Sequence, residues 1–434
     1  MTVAGAYSSG LNPLYIAGFG TKALFDGHDS SSHLGLWVTD GTAAGTSELT
    51  VAGAYSGGLF SGFQLVFDVG PEFTVLGSRA LFQGRDASGN FNLWVTDGTA
   101  AGTSKLQVAG AYSGGLFFHV NGNTIINPDF TVLGNKALFL GDDANGAFNL
   151  WVTDGTSAGT SEIPAAGAYP GGLFYYQSTD GPDFTVLGSR AVFVGTDANT
   201  HGEGSLWVTD GTSAGTSELI VAGANVNGLD PRGPFAILGG KALFLGFGQN
   251  GSGLWVTDGT SAGTSELTAG VSPQELTVFG SKALFRDGSG LWVTDGTSAG
   301  TTKLTVAGAY PSGLSPQGFT VLGNKVLFEG EDAGGHFNLW VTDGTSAGTN
   351  ELTVAGTPSG GLSPQEITAL GEEALFAGER SSIFTDLWVT DGTSAGTIKL
   401  TVAGAYSGGL TPSDITVLAT SSKPISPTRK RLQR

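Results

Sequence analysis

The chain has 434 residues, with 73 Gly, 16 Pro, no Cys, 40% apolar residues and only 13% charged ones, where an ordinary soluble domain has about 25%. Its 26 Phe and eight Trp can fill a core, which excludes global disorder; the glycines keep no three-residue period, which excludes collagen; and zero Cys removes disulfides and thiolate metal sites. Nineteen cations against 37 anions leave a net charge of −18, which argues against nucleic acid and anionic membranes as partners.

No apolar run approaches the ~18 residues of a membrane span, so no membrane insertion is expected. The opening MTVAGAYSSG shows no signal peptide.

All eight tryptophans (Trp37, Trp94, Trp151, Trp207, Trp255, Trp292, Trp340 and Trp388) stand in one phrase, LWVTDGT, at spacings of 57, 57, 56, 48, 37, 48 and 48 residues. That is the period of one propeller blade. A unit reads FTVLGNK, VLFEGEDAGGHFN, LWVTDGTSAGT and NELTVAG, and loops such as AYPSGLSPQG lead from unit to unit. Each apolar piece is short, rich in Val, Leu, Phe, Thr and Trp, and bounded by glycine or Asp-Gly, so four strands per unit are predicted. The Gly-Asn and Gly-Ser steps suit two-residue hairpin turns. Inner strands are expected to begin near Tyr15, Phe73, Phe130, Phe184, Phe235, Leu276, Phe319 and Ile367, and outer strands to end near residues 52, 109, 166, 222, 269, 307, 355 and 403. The fold predicted is an all-β, eight-bladed β-propeller of four-stranded antiparallel blades over residues 1–418, with a stacked solenoid as the rival architecture.

Redundant copies mark both ends: TVAG stands at 2–5 and again at 401–404, and a ninth inner-strand copy, DITVL, lies at 414–418. One end is expected to supply the closing strand and the other to be spare. Residues 419–434, with Lys423, Arg429, Lys430, Arg431 and Arg434, match no repeat and are read as a disordered basic tail.

At LWVTDGT followed by SAGT or AAGT, the chain resembles the bacterial ELWxxDGT repeat family. The Glu before LW is replaced here by Gly35, Asn92, Asn149, Ser205, Gly253, Gly290, Asn338 or Asp386. The resemblance implies a propeller in secreted or surface-associated bacterial proteins, and no particular reaction.

The repeated polar residues read first as structure. In each Asp-Gly-Thr turn (Asp40, Asp97, Asp154, Asp210, Asp258, Asp295, Asp343 and Asp391) the carboxylate is suited to local N–H groups, and the tryptophans to packing between blades. Cations in the first hairpin (Lys22, Arg79, Lys136, Arg190, Lys241, Lys282 and Lys325, with Glu373 the exception) should emerge beside those Asp residues, as solvated pairs or as an anion-binding face. Acidic loops such as GDDANG and GEDAGG, with Asp142, Asp143, Asn145, Glu331 and Asp332, leave weak calcium binding open; no other cofactor is expected.

Ligand binding is expected where the repeat breaks. Three consecutive connections are long and aromatic: Phe60, Phe63 and Phe67 in the first, Phe117, Phe118 and His119 in the second, and Phe174, Tyr175 and Tyr176 in the third. Such clusters dock sugar rings or a partner's apolar side chains, unless they tuck into their own loops. The repeated tyrosines, among them Tyr55, Tyr112 and Tyr169, are either fillers with a hydroxyl bond or weak stacking sites with collective avidity. The five histidines (His28, His33, His119, His201 and His336) are scattered, and no hydrolase, metalloprotease, phosphate-loop or dinucleotide motif is present.

The expectation is a non-catalytic, lectin-like, monomeric propeller that binds glycans or a surface protein, outside the cell or at its surface. A protein-interaction or adhesion scaffold is the alternative, and a polysaccharide-active enzyme the third reading.

Overall fold

One repeat shows how the rest fold. Thr131–Leu133, Lys136–Asp142, Phe148–Thr153 and Ser161–Glu162 pair in that order as an antiparallel sheet. Leu133 faces Lys136 across a two-residue turn whose Gly134 sits at φ 64°, a conformation that costs glycine nothing. Along the second strand, side chains alternate between two seams. Ala137 and Phe139 join Trp151 against Leu81, Leu93 and Val95 of the preceding sheet, while Leu138 joins Leu150 and Val152 against Ala191, Phe193 and Trp207 of the following one.

The structure, a computed structural model, describes residues 3–62, 70–119, 124–125, 127–174, 182–199, 204–381, 384–404 and 409–417. Among them there is no helix, and eight four-stranded antiparallel sheets follow one another. The chain is all-β and propeller-bladed, as its sequence predicts. Blades 1 to 4 span 16–48, 74–105, 131–162 and 185–218, and blades 5 to 8 span 232–269, 274–303, 317–351 and 365–399. Two compact units divide them, Met1–Leu219 with blades 1 to 4 and Ile220–Thr420 with blades 5 to 8. The basic tail expected over 419–434 lies outside the described residues.

The outer strands are shorter than expected. Seven contain two residues, such as Ser47–Glu48, and only that of blade 5, Ser265–Ala269, reaches its expected end. After one further bond, Leu49 N to Leu36 O at 2.8 Å, the chain leaves blade 1 and crosses to blade 2, where Ala54 bridges Asp86. Short outer strands leave little edge for unwanted pairing.

Both redundant end copies are docked. At the first, Ala6 bridges Asp29 and His28 N donates to Leu11 O at 2.9 Å, as Arg85 N donates to Leu59 O at 2.8 Å in the next repeat. At the second, Thr368 Oγ1 donates to Ile415 O at 3.3 Å, the bond that Thr320 makes to Ile367 O at 2.8 Å one blade earlier.

A glycine in the second strand and the tryptophan of the third are one feature. A Cβ on Gly27 would stand 2.9 Å from Trp37 Cδ1, and the indole N–H donates to Gly27 O at 3.0 Å. Seven of the tryptophans are at most 4% exposed and Trp292 is half-buried. Within the first unit Trp94, Trp151 and Trp207, and within the second Trp292, Trp340 and Trp388, lie in a seam with the preceding blade, as predicted, while the first blade's Trp37 has the redundant Gly5 near its ring.

Candidate functional site

Every element of the DGT phrase is engaged in its own turn. In blade 3, Asp154 Oδ1 accepts from Thr156 N at 2.9 Å and from Thr156 Oγ1 at 2.7 Å. Thr156 Oγ1 in turn accepts from Gly159 N at 3.0 Å, and Thr160 Oγ1 donates to Thr156 O at 2.6 Å. A Cβ on Gly159 would fall 2.1 Å from the Asp154 carboxyl, which explains the fixed glycine five residues after the aspartate. The threonine hydroxyl bond, before any other cause, holds Asp154 below the usual carboxylate range, and the same holds for Asp40, Asp97, Asp210, Asp295, Asp343 and Asp391. The structural reading of these aspartates is the observed one.

Two of the first-hairpin cations, Arg79 and Lys282, join neighbouring blades at these turns. Arg79 of blade 2 donates to Gly155 O of blade 3 at 2.9 Å, and Lys282 of blade 6 reaches Asp343 O of blade 7 at 3.4 Å. The serine after DGT adds a second stitch: Gln107 N of blade 2 donates to Ser157 Oγ of blade 3 at 2.9 Å.

The other end of each blade carries the connections and the loops between second and third strands, and here the aromatic expectation is corrected. Phe60 and Phe117 are fully buried and Phe174 is 9% exposed. The cause is a backbone bond: Phe60 N donates to Leu34 O, Phe117 N to Phe91 O and Phe174 N to Phe148 O, each at 3.1–3.2 Å. That bond pins the connection to the third strand and turns the ring into the seam. There Phe117 meets Phe130 at 6.1 Å and Phe139 at 6.0 Å, edge to face. The same triad forms from Phe60, Phe73 and Phe82 and from Phe174, Phe184 and Phe193. Phe63, Phe67, Tyr175 and Tyr176 lie outside the described residues. Phe118 and His119 form a short strand paired with Thr124–Ile125 in a two-stranded ribbon.

Tyr55, Tyr112 and Tyr169 are half-buried and fold over their own turns, where a Cβ on Gly57, Gly114 or Gly171 would lie 2.5–2.7 Å from the ring. Tyr55 also receives the Arg85 guanidinium 4.8 Å from its ring centroid. These rings pack against their own loops.

The sequence reading did not single out the outer-strand charges. In blade 2, Lys105 Nζ lies 2.8 Å from Asp86 Oδ2. Burial pushes Asp86 up, but Lys105 and the N–H groups of Asn90 and Ser88 outweigh it and hold the carboxyl low. Blade 3 has Glu162 in the place of Lys105, and burial, followed by the charge of Asp143, pushes Glu162 up. Neighbouring Asp142, wholly buried, is pushed up to about 7 by burial and then by Asp143. Asp143 itself turns inward: Oδ1 accepts from Asn145 N at 2.8 Å and Ala147 N at 3.0 Å, and Oδ2 from Asn149 Nδ2 at 3.3 Å. Among the described residues, no group of three or more His, Asp or Glu is placed to hold a metal ion. No helix among them is long and apolar enough to cross a membrane. The signal for the outer-strand pattern was present in the alternation Glu48, Lys105, Glu162, Glu218, Glu266, Lys303, Glu351 and Lys399 at one repeat position.

No protein-family model matches the chain, and no curated protein matches it. Among solved structures it is similar to a puromycin-hydrolyzing peptidase of Mycobacterium tuberculosis, at 14% identity and TM-score 0.34, over 75% of this chain and 52% of that one. It is similar to a puromycin hydrolase at 13% and 0.36, over 87% and 61%, so the chain spans little more than half the length of either enzyme. It is also similar to the β-propeller domain of the Trilobed protease from Pyrococcus furiosus, at 12% and 0.31, over 77% and 98%. The lectin expectation is corrected. Three of the aromatic residues on which it rested, Phe60, Phe117 and Phe174, are seam fillers.

Proposed function

We propose that this chain is a non-catalytic propeller module that binds polypeptide, an interaction scaffold acting outside the cell and related to the ELWxxDGT-repeat proteins that its phrases resemble. The observation that carries the reading is the ribbon Phe118–His119 with Thr124–Ile125, the one strand pair among the described residues that belongs to no blade. The ribbon pairs with no further strand among the described residues, and an extended peptide adds to such a main-chain edge through backbone bonds. The repeated polar side chains support a scaffold rather than a reaction centre, because the Asp, Thr and Arg groups described above bond to their own turns and to neighbouring blades.

A phage-displayed peptide library panned against the purified chain tests this. Enriched peptides are expected, and His119→Pro with Thr124→Pro, which removes ribbon donors, should abolish the enrichment. No enrichment, or equal enrichment on the variant, overturns the peptide reading. Cleavage of casein by the purified chain overturns the non-catalytic one.

A further inference from the structure

The loop built around Asp143 of blade 3 recurs in three more blades with different charges around it. Asp29, Asp86 and Asp332 each follow the second strand, and each Oδ1 accepts the N–H groups two and four residues on. These are Ser31 and His33 at 2.8 Å each, Ser88 and Asn90 at 3.0 and 3.1 Å, and Gly334 and His336 at 2.7 and 3.0 Å. In blade 2 the remaining oxygen, Asp86 Oδ2, takes a permanent cation, Lys105 Nζ at 2.8 Å.

In blades 1 and 7 the outer strand supplies Glu48 or Glu351 instead, and the loop supplies a histidine. His33 Nδ1 lies 3.7 Å from Asp29 Oδ2 and His336 Nδ1 lies 3.5 Å from Asp332 Oδ2. The position of each histidine is Asn90 in blade 2. A fixed positive charge has thus been exchanged for the side chain that changes charge between pH 5 and 8, and a carboxylate stands where the lysine was.

We propose that the Asp29–His33–Glu48 and Asp332–His336–Glu351 clusters are pH-sensitive latches, closed in mildly acidic surroundings and loosened at neutral pH. With histidine neutral, each cluster holds two like charges, the half-buried Asp29 beside the exposed Glu48 and the half-buried Asp332 beside the half-buried Glu351. Protonation of the imidazole gives Asp29 or Asp332 its partner, and a second proton on the glutamate removes the remaining repulsion. The direction at the glutamates agrees: burial first and the neighbouring aspartate second push Glu48 and Glu351 up, against a smaller lowering by the histidine. Stability from a raised carboxyl is fully present below its ordinary value and is lost as pH rises through the raised one. Other titratable groups facing the latches are His28, whose Nδ1 lies 3.2 Å from Ser32 O, and Tyr310 and Glu331 around Gly335.

The latches stand where connections dock. A Cβ on Gly58 would lie 3.2 Å from His33 Cβ, and one on Gly361 would lie 3.1 Å from His336 Cβ. Beside them Phe60 N donates to Leu34 O at 3.1 Å and Ser363 N to Phe337 O at 2.8 Å. Closing the loop therefore firms the seat of the chain that leaves the blade.

Amide hydrogen exchange, corrected for intrinsic rates, tests the latch inside one molecule. Residues 29–34 and 332–337 and their docked connections should be about fivefold better protected at pH 5.5 than at pH 7.5, a gain set by half-exposed ion pairs. The Asp86 loop should not change. Equal pH dependence in all three loops overturns the proposal. His33→Asn with His336→Asn should then flatten the response while leaving the Asp86 loop as it was; a response undiminished in that variant also overturns it. Should the variant fold poorly, NMR titration of the wild-type His33 and His336 rings decides, because their midpoints must coincide with the change in protection.

Discussion

The seams of the two units solve one packing problem in different ways. Between blades 1 and 2, 2 and 3, and 3 and 4, the connection contributes a phenylalanine, and three rings close the gap edge to face. In the second unit that position is Ser315 or Ser363. Phe319 pairs with Phe328, and polar groups complete the arrangement: Ser315 Oγ donates to Glu331 at 3.2 Å, Gln317 Nε2 bonds Glu329, and Glu275 accepts Gly318 N of the next blade at 2.8 Å. An apolar seam depends on filled volume, whereas a polar one depends on protonation and on distance. Repeats that look alike in sequence therefore differ in what disturbs them.

The largest effect should come from Phe117→Ala, which empties a fully buried ring position and should cost about 3–5 kcal/mol in chemical denaturation. A cost below about 1 kcal/mol would mean that the triad does not hold its seam. Next is pH in the first unit. Asp142, pushed up to about 7, contributes stability that is present below its ordinary 3.8 and lost as pH rises through about 7. Asp142→Thr, the residue that blade 4 has as Thr196, should flatten the melting temperature between pH 5 and 8 and raise it at pH 8. An unchanged profile would remove Asp142 from the account.

The DGT aspartates run the other way. Their lowered carboxyls contribute above the ordinary 3.8 and lose that contribution as pH falls through the lowered values. Unfolding should therefore set in below about pH 4, and Thr156→Val, which deletes one such hydroxyl bond, should cost about 1 kcal/mol. The smallest effects are the stitches: Ser157→Ala should cost about 0.5–1 kcal/mol and Ser315→Ala no more, so that in the polar seam a single side chain matters less than in the aromatic one.

Much of this was legible without coordinates. Strand order, the hairpin turns, the burial of tryptophan between blades and the self-contained DGT turn all follow from contacts within one repeat or between a repeat and its neighbour, and eight near-copies display them directly. The outer strands were overestimated because Leu-Thr-Val-Ala has strand propensity but, beyond the Leu49 bond, crosses to the next blade. The aromatic connections misled for a related reason. Composition says that Phe60, Phe117 and Phe174 stand in irregular loops, but a single N–H bond to the third strand decides that their rings point inward.

The amino-acid sequence by itself determined the repeat, its blades and the turns that bound them, because these rest on local conformation and period-two burial. Only the tertiary structure decided which irregular residues face solvent and which charges meet. Asp86 with Lys105, Asp143 near Glu162, and Asp332 between His336 and Glu351 are separated by a strand and two turns, and a charge is costly or favourable only through the partner and the burial that folding gives it.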